Sequence, residues 1–438
     1  MKRALYMMFT ALFTLCAVQS ACSSTPEELL YPTDELTPEP EPEPTLEPEL
    51  EPTPEPNPEP EPTPRYNNPA SFLGLGWNLG NQFDAYNDGV SAETAWGNKP
   101  VTQATMDAVK AAGFKSVRIP VTWLGHIGDA PSYTIDSSWL DRVSEAVTYA
   151  ENAGLNAIIN IHHDGADSNH WLNIKEASKS EETNKQITEE LTALWTQIAN
   201  KFANKGDFLV FESMNEIHDG GWGWGDNRKD NGKQYAVLNG WNQAFVDAVR
   251  ATGGNNATRW LATPTYCTNI DLGDYFEIPN DPGVDNRIIV AVHCYDPYEY
   301  AINATYPQWG HYGEVGKKPS EGEKELVASL DKIVDKWVSK EIPVYIGEFG
   351  SVHRSDARSE KIRQYYLEYY SKAASDRSIP IFYWDNGGTG SGKEQFGIFD
   401  HSTGAWINNG EETAGSMSRG YNITDPDYTL ETVYRTAP

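Results

Sequence analysis

Between Leu73 and Trp384 the chain repeats one pattern eight times, a short apolar or β-branched run followed by an amphipathic stretch. The runs are residues 73–79, 116–121, 157–162, 208–215, 260–265, 288–295, 344–349 and 379–384. Between them lie helical spacings such as Ile187, Leu191, Leu194, Ile198 and Phe202, or Leu326, Leu330, Ile333 and Trp337, each placing apolar residues on one face. Gly113, Gly154 and Gly206 stand where such helices should stop. Near-continuous apolar strands that alternate with helices predict a parallel sheet, and eight such units predict an α/β fold closed into a (β/α)8 TIM barrel. Residues 66–438 form this single domain. The connection between the fifth and sixth runs is short, its only helix candidate being residues 272–278, so a single turn is expected there.

A barrel of this kind carries its chemistry at the C-terminal ends of the strands. Here those ends are polar. They read Arg118-Ile119-Pro120, His162-His163-Asp164, Asn215-Glu216, His293-Cys294-Tyr295, Glu348-Phe349-Gly350 and Trp384-Asp385-Asn386. Any one of them could be a satisfied polar residue at a barrel mouth, but six together could not be buried unpaired. Glu216 and Glu348 approach the axis from facing strands. Two carboxyl groups about 5–5.5 Å apart suit cleavage of a glycosidic bond with retention, one attacking the anomeric carbon while the other protonates the leaving oxygen and then activates water. Arg118 and the Tyr295 hydroxyl are the groups to keep a carboxylate ionised, which makes Glu348 the expected nucleophile and Glu216 the acid/base. Asn215 can offer its amide to a sugar 2-hydroxyl, and His162, His163 and His293 can orient carboxylates or hydroxyls.

The segments Gly76-Trp77-Asn78-Leu79-Gly80-Asn81, Glu93-Thr94-Ala95-Trp96-Gly97-Asn98, Val117-Arg118-Ile119-Pro120-Val121, Asn160-Ile161-His162-His163-Asp164, Asn215-Glu216, His293-Cys294-Tyr295 and Gly347-Glu348-Phe349-Gly350 resemble glycoside hydrolase family 5. They occur in barrel order, and the first two are most similar to its subfamily 4 of endo-β-1,4-glucanases, lichenases and xyloglucan-active enzymes. The resemblance implies a retaining mechanism with Glu216 as acid/base and Glu348 as nucleophile. It also implies active-site roles for Arg118, His162, Asn215, His293, Tyr295 and Trp384. The chain holds 14 Trp and 23 Tyr, a load that serves a core first and sugar stacking second. Trp384 is the expected platform under the reacting sugar. Trp96, Trp171, Trp222 and Trp224 are candidates for outer subsites, and Asn81 and Asp84 for hydroxyls on the non-reducing side.

The first 22 residues, with Met1-Lys2-Arg3, an apolar run and Ser20-Ala21-Cys22, have the layout of an export signal. Cys22 resembles the acylated cysteine of a bacterial lipoprotein, although Gln19 stands where an aliphatic residue is usual; ordinary secretion is the alternative. Residues 23–65 are a linker of Glu-Pro and Thr-Pro repeats, extended as polyproline II. Residues 26–64 carry 13 acidic side chains and no Lys or Arg, a large part of the formal charge of −29. That charge argues against nucleic acid and for a neutral polymer, here β-glucan, as partner, with the membrane reached only through Cys22. The expected location is the cell envelope or the medium. Cys267 and Cys294 have no metal-ligand spacing and stand as free thiols or one disulfide. No cofactor or metal is expected. A metal site drawn through His162, His163, Asp164 and Glu216 is disfavoured because adjacent residues of a strand face opposite ways. The remaining alternatives are a β-mannanase using the same carboxylates and a barrel that binds glucan without cutting it.

Overall fold

The computed structural model describes residues 68–165, 170–284, 287–320 and 322–438. The export signal, Cys22 and the linker lie outside these residues. Eight parallel strands close into a barrel: β1 (Leu75–Leu79), β2 (Ser116–Ile119), β3 (Asn156–Asn160), β4 (Leu209–Glu212), β5 (Leu261–Pro264), β6 (Ile288–His293), β7 (Val344–Phe349) and β8 (Ile381–Asp385). Each pairs with its successor, and β8 closes on β1 from Leu75↔Ile381 to Leu79↔Asp385. All eight expected runs are strands, but most end earlier than the apolar pattern does. His162, Asn215, Glu216 and Tyr295 therefore sit just beyond the ladders.

The principal crossover helices are α1 (Gln103–Ala111), α2 (Ser137–Asn152), α3 (Glu181–Lys201), α4 (Lys233–Ala251), α5 (Glu323–Lys336) and α6 (Ala357–Ser375), with α7 (Gly410–Asn422) following β8. Side-chain caps set several starts: Asp136 accepts from the Ser138 amide, Ser180 from Thr183 and Asp356 from Ser359. Gly113 and Gly154 follow α1 and α2 with φ of +94° and +69°, the left-handed exit that glycine makes at no steric cost. Gly206 does not play this part, since α3 already ends at Lys201. Between β5 and β6 the expected short connection is a 3-10 turn, Ile270–Tyr275.

Strand alternation divides the apolar residues into two cores. Ile158, Val210, Ala262, Ile289, Tyr345 and Phe382 fill the barrel interior above Phe72 and Leu73, while Trp77, Val117, Ile159, Phe211, Val290 and Ile346 face the helices. The interior is close-packed: a Cβ on Gly76 would stand 2.2 Å from the Phe382 ring.

Candidate active site

The upper end of the barrel is lined by buried polar groups, and Arg118 on β2 is their centre. All five of its N–H donors are used. Nε and Nη2 reach the two oxygens of Glu212 on β4 at 2.7 and 3.0 Å, Nη1 reaches Asn78 Oδ1 at 3.0 Å and Glu348 Oε1 at 2.9 Å, and Nη2 also reaches Asn215 Oδ1 at 2.7 Å. Arg118 and Glu212 have no solvent exposure. Asn78 on β1 is fixed in turn by donating to the carbonyls of Gly347, Phe382 and Tyr383. Because Arg118 takes the Asn215 amide oxygen, the NH2 end of that side chain is the end left to offer to a hydroxyl.

Glu348 owes its direction to an irregularity. Val292 pairs with Ile346 and His293 with Glu348, so β7 carries one extra residue, Gly347, at this point. Tyr345 points inward and Ile346 outward; simple alternation would turn Glu348 toward the helices, and the bulge returns it to the barrel mouth. There its second oxygen accepts from the Tyr295 hydroxyl at 3.0 Å. Across from it, Glu216 Oε1 lies 2.7 Å from His293 Nδ1, which is also 3.6 Å from Glu348 Oε2. A carboxylate oxygen of Glu216 and one of Glu348 come within 4.8 Å of each other.

Burial raises the carboxyl of Glu348 against the pull of His293 and Arg118, and leaves it above its ordinary value. Burial also raises Glu216, but the hydrogen bond and charge of His293 outweigh it and hold that carboxyl below. Arg118 cannot lose its proton and bonds Glu348 directly, whereas among the described residues no arginine bonds Glu216, so within this coupled pair the permanent cation favours the charge on Glu348. The Tyr295 hydroxyl is pushed well up by burial and by Glu348, so it stays a donor.

His162, held neutral by burial, takes a hydrogen-bond position 3.1 Å from Asn160 Nδ2. Its ring lies parallel to Trp384 at 6.0 Å. His163 is pushed down to about 4 by burial and sits 3.7 Å from Asp84. The rings of His162 and His163 are only 4.4 Å apart, and ligand atoms of Asp84, His162 and His163 lie within 4.8 Å of one another. The expectation that adjacent histidines face apart is corrected here: β3 ends at Asn160, and the pleat no longer applies to residues beyond it.

Asp84 is corrected as well. It is fully buried, its oxygens accept from the Asn81 and Gln82 amides, and burial raises it to about 7, so it shapes the turn after β1 and backs His163 rather than meeting a sugar. Asn81 is half-buried on that same turn with φ +54°. Trp171 is anchored through its indole N–H to Asp164 at 2.8 Å and packs on the core. Trp96, 42% exposed, clusters with Tyr86 and His163. Trp222 and Trp224 are 58% and 75% exposed on the loop that follows Glu216, the first stacked on His218 and the second under Arg228. Cys267 and Cys294 are both free thiols. Glu212, Asn78 and Asp385 complete the site, although the sequence assigns none of them a role there. Asp385 accepts from the Trp77 indole and from the amides of Gly387, Ile398 and Phe399, tying β1 to the loop beyond β8.

Comparison with known proteins gives a family model, cellulase (glycosyl hydrolase family 5), matching residues 81–390. Endoglucanase A of Paenibacillus barcinonensis is 38% identical over 346 residues, 75% of this chain and 84% of its own. A xyloglucan-specific endo-β-1,4-glucanase of Bacteroides ovatus is 36% identical, covering 76% of this chain and 66% of its own. The solved structure of a GH5-4 broad specificity endoglucanase from Bacteroides salanitronis is 59% identical, with a TM-score of 0.78 over 80% of this chain and 93% of that one.

Proposed function

The chain belongs to glycoside hydrolase family 5, and from that premise we propose that it is a retaining endo-β-1,4-glucanase acting on cellulose-like, mixed-linkage and xyloglucan chains. The observation that carries the reading is the pair Glu216 and Glu348, with carboxylate oxygens within 4.8 Å and different partners on each side. That spacing leaves room for a sugar carbon and not for an additional water, as retention requires.

In the first step a Glu348 oxygen bonds to the anomeric carbon, the glycosidic C–O bond breaks, and the leaving oxygen takes the proton of Glu216. In the second, Glu216 removes a proton from water, the water oxygen bonds to the anomeric carbon, and the ester bond to Glu348 breaks. Loss of the Glu348 charge on esterification lowers the proton affinity of Glu216, which fits it for the base role that follows. Asn215 presents its NH2 to the 2-hydroxyl, and Trp384 offers its face to the pyranose ring. The exposed indoles of Trp96, Trp222 and Trp224 extend the surface on which a polymer can lie.

The N-terminal segment fits the same reading. An export signal ending at Cys22, followed by a Pro- and Glu-rich segment, would deliver residues 66–438 to the cell envelope or the medium, where polymer is met. Among the described residues no helix is long and apolar enough to cross a membrane. The test is reducing-sugar release by residues 65–438 on carboxymethylcellulose, mixed-linkage β-glucan, xyloglucan and mannan, beside Glu348→Gln. Release from the glucans by the wild type alone is expected; silence on all three glucans refutes the assignment, and cleavage confined to mannan moves it to a mannanase.

A further inference from the structure

Arg118 faces a difficulty that the retaining cycle creates. It is fully buried, and when Glu348 becomes an ester it loses one of its two anionic partners in the middle of the reaction. A buried guanidinium left without a counter-charge is strongly destabilising. The other partner, Glu212, lies deeper on β4, has no solvent exposure, and meets Arg118 through two parallel N–H···O bonds at 2.7 and 3.0 Å. No hydrogen bond joins it to either Glu216 or Glu348.

We propose that Glu212 is a positioning residue that keeps Arg118 charge-paired throughout turnover, so that Arg118 can hold Glu348 ionised in the free enzyme and remain compensated in the covalent intermediate. The inference rests on the retaining reading above. Glu212 also limits how firmly Arg118 grips the nucleophile. With the guanidinium shared between two carboxylates, Glu348 receives one Nη1 bond rather than a bidentate clamp, and its attacking electrons are less stabilised. Removing the charge of Glu212 therefore has two effects in one direction. Glu348 becomes a weaker base and nucleophile, and the glycosyl-enzyme rises in energy relative to free enzyme.

The test compares wild type with Glu212→Gln, each titrated for active sites with a 2-deoxy-2-fluoro-β-cellobioside bearing a good leaving group. Formation of the trapped species should slow by about 100-fold or more in the variant, while its reactivation by water or acceptor sugar becomes faster than wild type. The dissociation constant of soluble β-glucan before the first chemical step should change little, since Glu212 does not reach the mouth. The acid limb of kcat/KM should move down by about one pH unit. The groups facing Glu348 through which that limb is read are Arg118 from β2, His293 and Tyr295 from the end of β6, Glu216 beyond β4 and Asp84 beyond β1, all present in the variant. An unmoved acid limb with formation and reactivation slowed alike, or only a lowered Tm, overturns the proposal and makes Glu212 a packing residue. Should the variant not fold, infrared difference spectra of the wild type on trapping decide. One carboxylate band lost to the ester and one gained as Glu216 ionises leave Glu212 ionised as proposed, and a further carboxylate lost with proton uptake at Glu212 refutes it. A wild type that is never trapped overturns the retaining reading and the proposal with it.

Discussion

A nucleophilic carboxylate must stay charged without being held so tightly that it cannot attack, and in the proposed role Glu348 would meet this with one bond from Arg118 and one from Tyr295. Its partner Glu216 lies 2.7 Å from the His293 imidazole, with the rings of His218 and His163 also acting on its charge. The two substitutions should therefore behave differently. Glu348→Ala removes turnover on every substrate. Glu216→Ala lowers polysaccharide turnover by about 10²–10⁴-fold yet still glycosylates from substrates with good leaving groups, and azide should rescue it with a β-glycosyl azide as product. An α-azide from that variant, identified by NMR, would exchange the two roles. The position of both carboxylates at the barrel mouth is legible in the sequence because they close apolar runs on facing strands. Glu212 was not read, although its signal stood in the same run 208–215: an ionisable residue inside an otherwise buried strand needs a buried partner, and Arg118 was in view. Asp84 was misread because sequence cannot distinguish a carboxylate aimed at substrate from one that closes its own turn.

At the scale of elements, eight strands could be placed from their apolar runs, while their ends could not, because residues that close the barrel mouth are as constrained as those in the ladder. The Gly347 bulge was invisible for a related reason: the alternation of residues 344–349 is broken by one residue, and only pairing with β6 reveals where. Helix α6 shows what fixes an element once chosen. Near its start Glu360 accepts from the Arg354 amide at 2.7 Å, Arg363 Nε at 2.9 Å and Asn409 Nδ2 at 2.9 Å, with His353 at 3.1 Å. Burial opposes its charge, but His353, Arg363 and the Arg354 amide prevail and hold the carboxyl well below its ordinary value. A depressed carboxyl contributes stability above its unfolded value, and the contribution is lost as pH falls through the folded one. Glu360→Gln should then lower unfolding free energy by about 2–4 kcal/mol at pH 7, and by progressively less as pH drops below the ordinary glutamate range. Urea melts at neutral pH and near pH 3.5 measure the difference; a constant gap would show that the charge is not what binds α6 to its neighbours.

For the whole molecule, a closed barrel with its polar residues gathered at one end follows a long acidic N-terminal segment in sequence. The barrel wall is uneven, as the short connection between the fifth and sixth runs leads one to expect. The crossover from β5 to β6 is covered by the turn Ile270–Tyr275, which leans on α5 through Gly273 against Trp337 and through ion pairs from Lys332 to Asp271 and Lys336 to Asp274. These pairs are largely solvent-exposed and open to screening, whereas α3 is held by Ile187, Leu191, Leu194 and Ile198 in the core. In hydrogen–deuterium exchange the amides of Leu272 and Phe276 should lose protection well before those of α3, and raising salt from about 0.05 to 1 M should hasten them while leaving α3 unchanged. Equal protection in both places would show that the thin side is as firm as the rest. If Leu272 and Phe276 do exchange first, the ring opens first at a place remote in sequence from Glu216 and Glu348, and proteolytic nicking and the onset of thermal unfolding are expected there.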